Sequence, residues 1–571
     1  MNLTEKIANF IIMRAAALYG GMQIKRYYSK GENADKISEK LLMGLLKKSK
    51  NTELGKKYNF ADIKNARDYQ KKVPFSVYED YRGYIDEMAE TGRQGIITAE
   101  KVEFFAKTSG TTGVMKRIPV VRKAKPAFIK NVAIFIYFIS REMKKRGYLY
   151  GKGLNMVEIE SSVTKGGIPE GIISAYTIEK NQFLMPAITC IPSEALKCGE
   201  ESDMKYIKAF YALKEKDLTY FAAVFNSNIT DLVQYIIENH EILCDDIQNG
   251  RINDKIDIPS DIKEKLNQKL RPAPERADEL RKIFKENPED LMKKIWPKLC
   301  FIMGIGSGEF SSFTGKLRKL CGNDAVFYNE TYSSSEALIA GGMETENDDY
   351  FLLFDNGFFE VIPVEDENSR PLMLHELKVG ELYEIVITNL SGLYRYRIKD
   401  VVRVTSYKGK VPLVRFAYRK NQVINITGVK LTAGHITGAV KSFEKRTGIT
   451  VNEYCIYPDT DSIPWKIVMF IETQSDISPE TAEQLGNIFD EELSKTNREH
   501  GRMLKIGETS PSAVYSVQKG TFRKYREYKI SKGTSQNQVK SIRVITTREQ
   551  LDFFKKYLNG GKMYELLGNC R

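Results

Sequence analysis

Short apolar runs of strand length alternate with amphipathic stretches of helix length through most of this chain. That rhythm points to an α/β fold built on mostly parallel sheets. The clearest instance runs from Leu299 to Glu336. It holds the apolar run Cys300-Phe301-Ile302-Met303-Gly304, a Gly/Ser turn through Gly308, a helix to Leu320, a strand at Ala325 to Tyr328 and a polar loop. An earlier strand is expected at Lys101 to Ala106 and a helix at Arg122 to Lys145, with the opening residues 1–50 helical. Loops at the carboxyl ends of such strands hold ligands. From Gly357 to Val404 the runs FFEVIP, LYEIVITN and DVVRVTS alternate with turn residues, which predicts a mainly antiparallel subdomain. A boundary is expected near Lys420. It separates a large N-terminal domain, 1–420, from a small α+β domain, 421–571, joined by a hinge; the latter contains the strand WKIVMFIE, a helix from Pro479 to Thr496 and a strand at Ile542 to Thr546.

Composition narrows the class without choosing a partner. At 571 residues, 42% hydrophobic and 28% charged, the chain has the make-up of a globular protein. Its formal charge of +13 arises from 87 basic against 74 acidic residues. Such a field attracts ATP, nucleic acid and acidic membranes alike. Seven cysteines without a C-x-x-C pair argue against a disulfide framework and a zinc ribbon, so a cytoplasmic setting is expected. His240, His375, His435 and His500 form no i, i+4 pair of the kind that binds zinc. The apolar run Val132 to Ile139 is far shorter than the roughly 20 residues that span a bilayer. The run Ile11 to Leu18 is broken by Arg14 and lacks a signal-peptide layout, so neither export nor a membrane partner is expected.

Three segments carry chemistry. Thr108-Ser109-Gly110-Thr111-Thr112-Gly113-Val114-Met115-Lys116 follows an expected strand and leads towards an expected helix. Glycines let such a loop turn sharply, its hydroxyls and N–H groups cradle phosphate oxygens, and Lys116 adds charge. It is not a Walker A loop, because Met115 stands where the second glycine would precede the lysine. Tyr332-Ser333-Ser334-Ser335-Glu336 and Tyr394-Arg395-Tyr396-Arg397-Ile398-Lys399-Asp400 follow in that order. Taken singly, Glu336 reads as a solvated or helix-first-turn carboxylate and Asp400 as a turn or strand-edge residue. Arg397 reads equally as the structural partner of an acid.

TSGTTG with its following lysine resembles the phosphate loop of the adenylate-forming superfamily. All three segments together resemble the Gretchen Hagen family of acyl acid amido synthetases, including its bacterial-type members. The stretches FAAVFNSNITDLVQYIIENHEILCDDIQNG, IWPKLCFIMGIGSG and GTFRKYREYKISKGTSQNQVKSIRV extend the likeness from Thr108 nearly to the C-terminus. The resemblance implies a two-domain adenylate-forming enzyme. ATP would activate a small hydrophobic or aromatic carboxylic acid as an acyl-adenylate, and the acyl group would then pass to the amine of an amino acid. Ser109, Gly110, Thr111, Thr112, Gly113 and Lys116 would hold the phosphates, and Tyr332, Ser333, Ser334 and Ser335 would wall the adenine and α-phosphate. Glu336 would ligate Mg²⁺, a hard ion suited to carboxylate, and Asp400 would accept the ribose hydroxyls.

In the C-terminal part the resemblance assigns Lys540 to the α-phosphate and acyl oxygens when the small domain closes; Lys430, in NITGVKLT, is a second lysine that the region offers for nucleotide binding. Lys540 lies in a basic stretch, Lys519 to Arg543, whose other charges read as a solvated face. Two departures from the family pattern stand out. Lys399 replaces the usual glycine before the aspartate, and the phosphate loop is one residue shorter than in the plant members. The second keeps an acid-thiol ligase open as the alternative enzyme. A nucleotide- or nucleic-acid-binding protein without catalysis is the alternative class, although no nucleic-acid motif is present and no nucleic-acid partner is expected. The acid, the acceptor and the oligomeric state are not legible. Tyr176, Phe225 and Tyr328 read as core aromatics before substrate contacts.

Overall fold

The computed structural model describes residues 3–109, 115–156, 161–173, 185–198, 203–307, 311–366, 369–420, 424–426, 429–460, 462–474, 477–478, 481–532 and 539–559. The chain divides into two compact units, Met1–Phe416 and Ala417–Arg571.

The first unit opens with helices α1 (Leu3–Lys30) and α2 (Ala34–Ser49), as expected for the first 50 residues. Strands β1 (Val102–Ser109) and β2 (Met115–Val121) follow, then helix α3 (Lys125–Lys145), with Pro126 in its first turn, where no intrahelical N–H is needed. The apolar run expected to be buried supplies the inward side of α3, through Ala133, Ile134, Phe135, Ile136, Phe138 and Ile139. Helices α1 and α3 meet closely at Gly20, where a Cβ would stand 2.0 Å from the Ala133 carbonyl oxygen. Only glycine fits there.

Strands β3 (Gly153–Asn155), β4 (Ser161–Val163), β5 (Pro169–Gly171) and β6 (Tyr220–Phe225) precede helix α4 (Asn226–Glu238); β7 (Phe301–Ile305), helix α5 (Ser311–Leu320) and β8 (Val326–Tyr328) complete this region. One sheet, ordered β3-β6-β7-β8, is parallel throughout, in keeping with the strand–helix rhythm. Most residues of its strands are buried, Val224 of β6 being exposed. Trp296, ahead of β7, is fully buried and donates its indole N–H to the Ala212 carbonyl at 2.8 Å. A second sheet runs β2-β1-β5-β4, with β1 and β2 antiparallel.

The strands that follow pair antiparallel. Strands β9 (Thr331–Ser333), β10 (Leu338–Gly342), β11 (Tyr350–Leu352), β12 (Gly357–Pro363), β13 (Leu382–Asn389), β14 (Tyr396–Lys408) and β15 (Val411–Arg419) form one sheet, ordered β12-β13-β14-β15-β11-β10-β9. The runs FFEVIP, LYEIVITN and DVVRVTS lie in β12, β13 and β14.

The second unit holds the hairpin β16 (Ile424–Ile426) and β17 (Val429–Leu431), helix α6 (Ala433–Thr447), strands β18 (Val451–Asp459) and β19 (Lys466–Thr473), helices α7 (Ala482–Thr496) and α8 (Thr521–Ser531), and strand β20 (Ala513–Val517), which lies between α7 and α8 in the chain. Helix α6 begins where the Thr432 hydroxyl accepts the His435 N–H at 3.2 Å. It ends at Gly448, whose φ of +72° lets its N–H turn back to the Glu444 carbonyl.

Two sequence expectations require correction. The residues after the TSGTTG segment form a strand: Thr108 pairs with Lys116 and Ser109 with Met115, so the segment joins an antiparallel hairpin. The β-branched residues Ile118, Val120 and Val121 favour β2, and the helix begins only at Lys125. The expected strand Ile542–Thr546 is not one. It makes a single bridge, Val544 to Ile456, because Arg543 turns inward to a buried carboxylate.

Candidate functional site

Strand β14 organises the site. Its first residue, Tyr396, is buried, and its hydroxyl bonds the Glu336 carboxylate. Burial and the neighbouring Glu336 charge hold that phenol well above its ordinary range, so it remains a donor. Asn389, the last residue of β13, fixes the same loop from its backbone: its Nδ2 donates to the Glu336 carbonyl at 2.7 Å. Within the loop the Ser334 hydroxyl accepts the Ala337 N–H at 3.3 Å, and the Ser334 N–H donates to the Ala337 carbonyl at 2.9 Å. Ser333 is exposed; Ser334, Ser335 and Glu336 are partly exposed.

Four residues along β14, Asp400 is only 1% exposed and its Oδ2 accepts the Tyr332 hydroxyl at 2.9 Å. The local backbone explains how the carboxylate is aimed. Glu384 pairs with Val401 and Val386 with Arg397, so β14 carries extra residues opposite β13, and within that bulge Lys399 has φ +64°. This is the position where the family resemblance led to a glycine, and the lysine adopts the left-handed conformation that glycine would take without strain. The Tyr332 ring packs against Tyr350 at 6.1 Å and Phe416 at 5.9 Å.

Lys116 enters from β2. Its Nζ lies over the Tyr78 ring, 5.2 Å from the centroid, while the Arg117 N–H donates to the Tyr78 hydroxyl at 3.0 Å. Tyr78 and Tyr81 both act on the Tyr396 phenol electrostatically, and the Tyr81 ring is 6.2 Å from that of Tyr396. Lys116 thus rests on Tyr78, while Tyr81 packs beside the Tyr396 phenol that bonds Glu336. Beneath the hairpin Glu170 of β5 joins the two strands, 2.7 Å from Arg117 Nε and 3.3 Å from Lys107 Nζ. Gly110, Thr111, Thr112 and Gly113 lie outside the described residues, as do the side chains of Ser109 and Lys430; the backbones of those two belong to β1 and β17.

The parallel sheet closes the other side. Beyond β7 the Gly306 N–H donates to Asn329 Oδ1 at 3.0 Å, and Ser307 bonds the Tyr350 hydroxyl. Next to Asn329, the Glu330 carboxyl accepts Asn131 Nδ2 of α3 at 2.8 Å, and burial pushes its pKa up to about 7. Both loops leave the carboxyl ends of parallel strands, where ligands bind in α/β sheets.

Arg397 is structural in its contacts, forming a two-pronged pair with the fully buried Glu384 at 2.7 and 2.6 Å. Phe225 and Tyr328 are core residues, the latter donating to the Gly342 carbonyl at 2.7 Å; Tyr176 lies outside the described residues. Among the described residues no group of three or more His, Cys, Asp or Glu is arranged to hold a metal. Glu336 nonetheless fits a hard cation completed by phosphate and water oxygens, being a partly exposed carboxylate.

In the second unit Lys540 is exposed between the buried Val539 and Ser541. The buried Glu453 of β18 anchors this segment, accepting Arg543 at 3.0 Å and Arg526 of α8 at 2.8 Å. The basic stretch is thus not all solvated face: Arg526 and Arg543 are inward partners of one acid. Tyr78, Asn389 and Glu453 belong to no motif, and only the end of the run LYEIVITN marked the neighbourhood of Asn389.

Three family models match the chain: the GH3 family N-terminal domain over residues 23–326, the central domain over 350–419 and the C-terminal domain over 434–549. Among characterised relatives, the jasmonoyl-L-amino acid synthetase GH3.5 of Oryza sativa subsp. japonica is 26% identical over 90% of this chain and 92% of its own length. The 4-substituted benzoates-glutamate ligase GH3.12 of Arabidopsis thaliana is 24% identical over 91% of this chain and 94% of its own. The solved GH3.15 acyl acid amido synthetase shares the fold, with a TM-score of 0.82 at 22% identity, covering 92% of this chain and 94% of that one. With matched domains covering most of its length in the family's own order, the chain belongs to the GH3 family.

Proposed function

We propose that this chain is an ATP-dependent acyl acid amido synthetase, joining a small hydrophobic or aromatic carboxylic acid to the amine of an amino acid through an acyl-adenylate. The observation that carries the reading is the double hold of β14 on one loop, Tyr396 on Glu336 and Asp400 on Tyr332. A carboxylate attacks the α-phosphorus of ATP only when crowded negative charge is neutralised and the reactants are held in line. Lys116 and the TSGTTG backbone are assigned to the phosphates, and Tyr332 to Ser335 to the adenine and α-phosphate. Asp400 is assigned to the ribose diol, and the Tyr332 hydroxyl occupies that acceptor in this structure. Glu336 would hold Mg²⁺, which neutralises phosphate charge when bound.

Lys540 is assigned to the α-phosphate and acyl oxygens, a role its exposed ammonium suits. Lys430 is given a supporting place at the nucleotide. The activities named for the relatives, a jasmonoyl-L-amino acid synthetase and a 4-substituted benzoates-glutamate ligase, support an acid and an amino acid as the two substrates. A reducing, cytoplasmic setting is part of the proposal, in keeping with a cysteine spacing that holds no C-x-x-C pair.

The test is carboxylate-dependent exchange of labelled pyrophosphate into ATP across a panel of acids, followed by mass spectrometry with pooled amino acids or with CoA. Exchange and an amide product are expected. No exchange with any acid would overturn the reading, and acceleration by CoA alone would replace it with an acid-thiol ligase.

A further inference from the structure

Helix α1 is docked by one side only. Asn9 is fully buried, with Nδ2 donating to the carbonyls of Gly151 (3.0 Å) and Ala187 (2.6 Å) and Oδ1 accepting the Gly151 N–H (3.0 Å). Met13, Gly20, Gln23 and Tyr27 are buried on the same side. The opposite side repeats at helical spacing and carries large apolar groups into solvent: Leu3 (74% exposed), Ile7, Phe10, Ile11 (59%), Leu18 (70%), Tyr19 and Met22. A soluble domain has no internal use for such a row, and a contiguous exposed apolar stripe marks a docking surface. The match to the family's N-terminal domain begins at residue 23, so the apolar part of the row lies ahead of it.

The charges identify the occupant. The exposed ionic groups of α1 on this side are all cations, Arg14 within the apolar row and Lys25, Arg26 and Lys30 at its end. The helix's acid, Glu5, is paired with Lys152 at 3.5 Å. A second copy of the chain would bring like charge to like charge, since Arg14 lies near the middle of the row and would face its own mate across a two-fold axis. An anionic bilayer satisfies both parts, taking the apolar row into its acyl boundary and the cations among its headgroups. By length and composition alone the helix is apolar enough to cross a membrane. The polar clamp on Asn9 and the tight packing at Gly20 instead keep it flat against the protein.

We propose that α1 is a membrane-surface anchor that lays the outer face of the N-terminal unit on anionic phospholipid. This departs from the expectation of no membrane partner, which weighed spanning and export by the runs Val132 to Ile139 and Ile11 to Leu18 and not which side of the helix is covered. The full chain is tested by co-sedimentation with vesicles of phosphatidylcholine, alone or mixed with phosphatidylglycerol. Binding to the mixed vesicles, weakened by salt, is expected. Ile11→Glu with Leu18→Glu should lower partitioning about tenfold, and Arg14→Glu with Lys25→Glu should remove the preference for anionic lipid. Ile11→Ser with Leu18→Ser repeats the first test with neutral groups, and thermal melts show that each variant is folded. No sedimentation with the mixed vesicles, or binding indifferent to all three pairs of substitutions, would overturn the proposal. So would a dimer, seen by sedimentation equilibrium, that Leu18→Glu dissociates.

Discussion

Tyr332 gives its hydroxyl hydrogen to Asp400 across 2.9 Å, so the tyrosine that opens one motif is held by the aspartate that closes another. If the ribose diol takes the place of that phenol, the two residues respond differently to substitution. Asp400→Asn should raise the KM for ATP about tenfold or more, with a smaller change in kcat, because an acceptor is lost in ground and transition state alike. Tyr332→Phe should leave that KM near wild type while lowering stability by about 1–3 kcal/mol, since it strips a donor from a buried carboxylate. Steady-state kinetics and urea melts separate the two effects; equal KM increases would make the Tyr332 hydroxyl itself a nucleotide contact.

Lys399 sits at φ +64° in the β14 bulge. Lys399→Gly should stabilise the fold by about 0.5–1 kcal/mol, the left-handed strain it relieves outweighing glycine's added freedom in the unfolded chain. Lys399→Val should cost about 1–2 kcal/mol, because a branched side chain tolerates that conformation least. Denaturant midpoints check both, and a Gly variant less stable than wild type would show the lysine side chain contributing more than its backbone costs.

Glu330 offers a pH signature. Burial raises its carboxyl to about 7, so the folded protein keeps a proton that the unfolded chain releases near 4.5. Folding stability from this group is fully present below the lower value and is lost as pH rises through the upper one. Glu330→Gln retains an acceptor for Asn131 and cannot ionise. The variant should therefore gain on wild type from about pH 4.5 to 7, by on the order of 1–3 kcal/mol, and keep a constant lead above that. Melting temperatures of both proteins across that range test it; parallel curves would mean that Glu330 titrates normally.

Glu453 provides a double-mutant test of the C-terminal lysine. Its two arginine partners tie α8 and the 541–543 segment to β18, and Lys540 is carried between buried neighbours in that segment. Lys540→Ala should slow pyrophosphate exchange strongly with ATP binding retained. Glu453→Gln should slow exchange in the wild-type background and have little further effect in Lys540→Ala, since it acts by positioning that residue. It should also lower stability by about 3–5 kcal/mol, because two buried arginines lose their common counter-charge. Equal slowing in both backgrounds would reduce Glu453 to a purely structural role.

The periodic parts of the fold were readable because strand length and helix length imprint different spacings on apolar residues. β13 coincides with the run LYEIVITN, and β12 holds FFEVIP. The hairpin after TSGTTG escaped because Met115-Lys116-Arg117 carries no alternation strong enough to separate a strand from a lead-in to the next helix. Strand Ile542–Thr546 was misread because alternation cannot tell an outward arginine from one bound to a buried acid. In the site, sequence order singled out Lys116, Tyr332, Glu336 and Asp400. The residues that support them, Tyr78 beneath Lys116 and Asn389 behind Glu336, lie far from them in the chain and work through single contacts that no local pattern announces.

Tyr396 and Asp400 belong to one continuous strand, with the Lys399 bulge between them. The spacing of their two grips on the Tyr332–Glu336 segment is therefore measured out by the bulge. Inserting or deleting a single residue there would unhitch one end of the segment while the other stayed fastened. If Glu336 holds the cation and Asp400 the sugar, as proposed, one strand is the common ruler that sets both places.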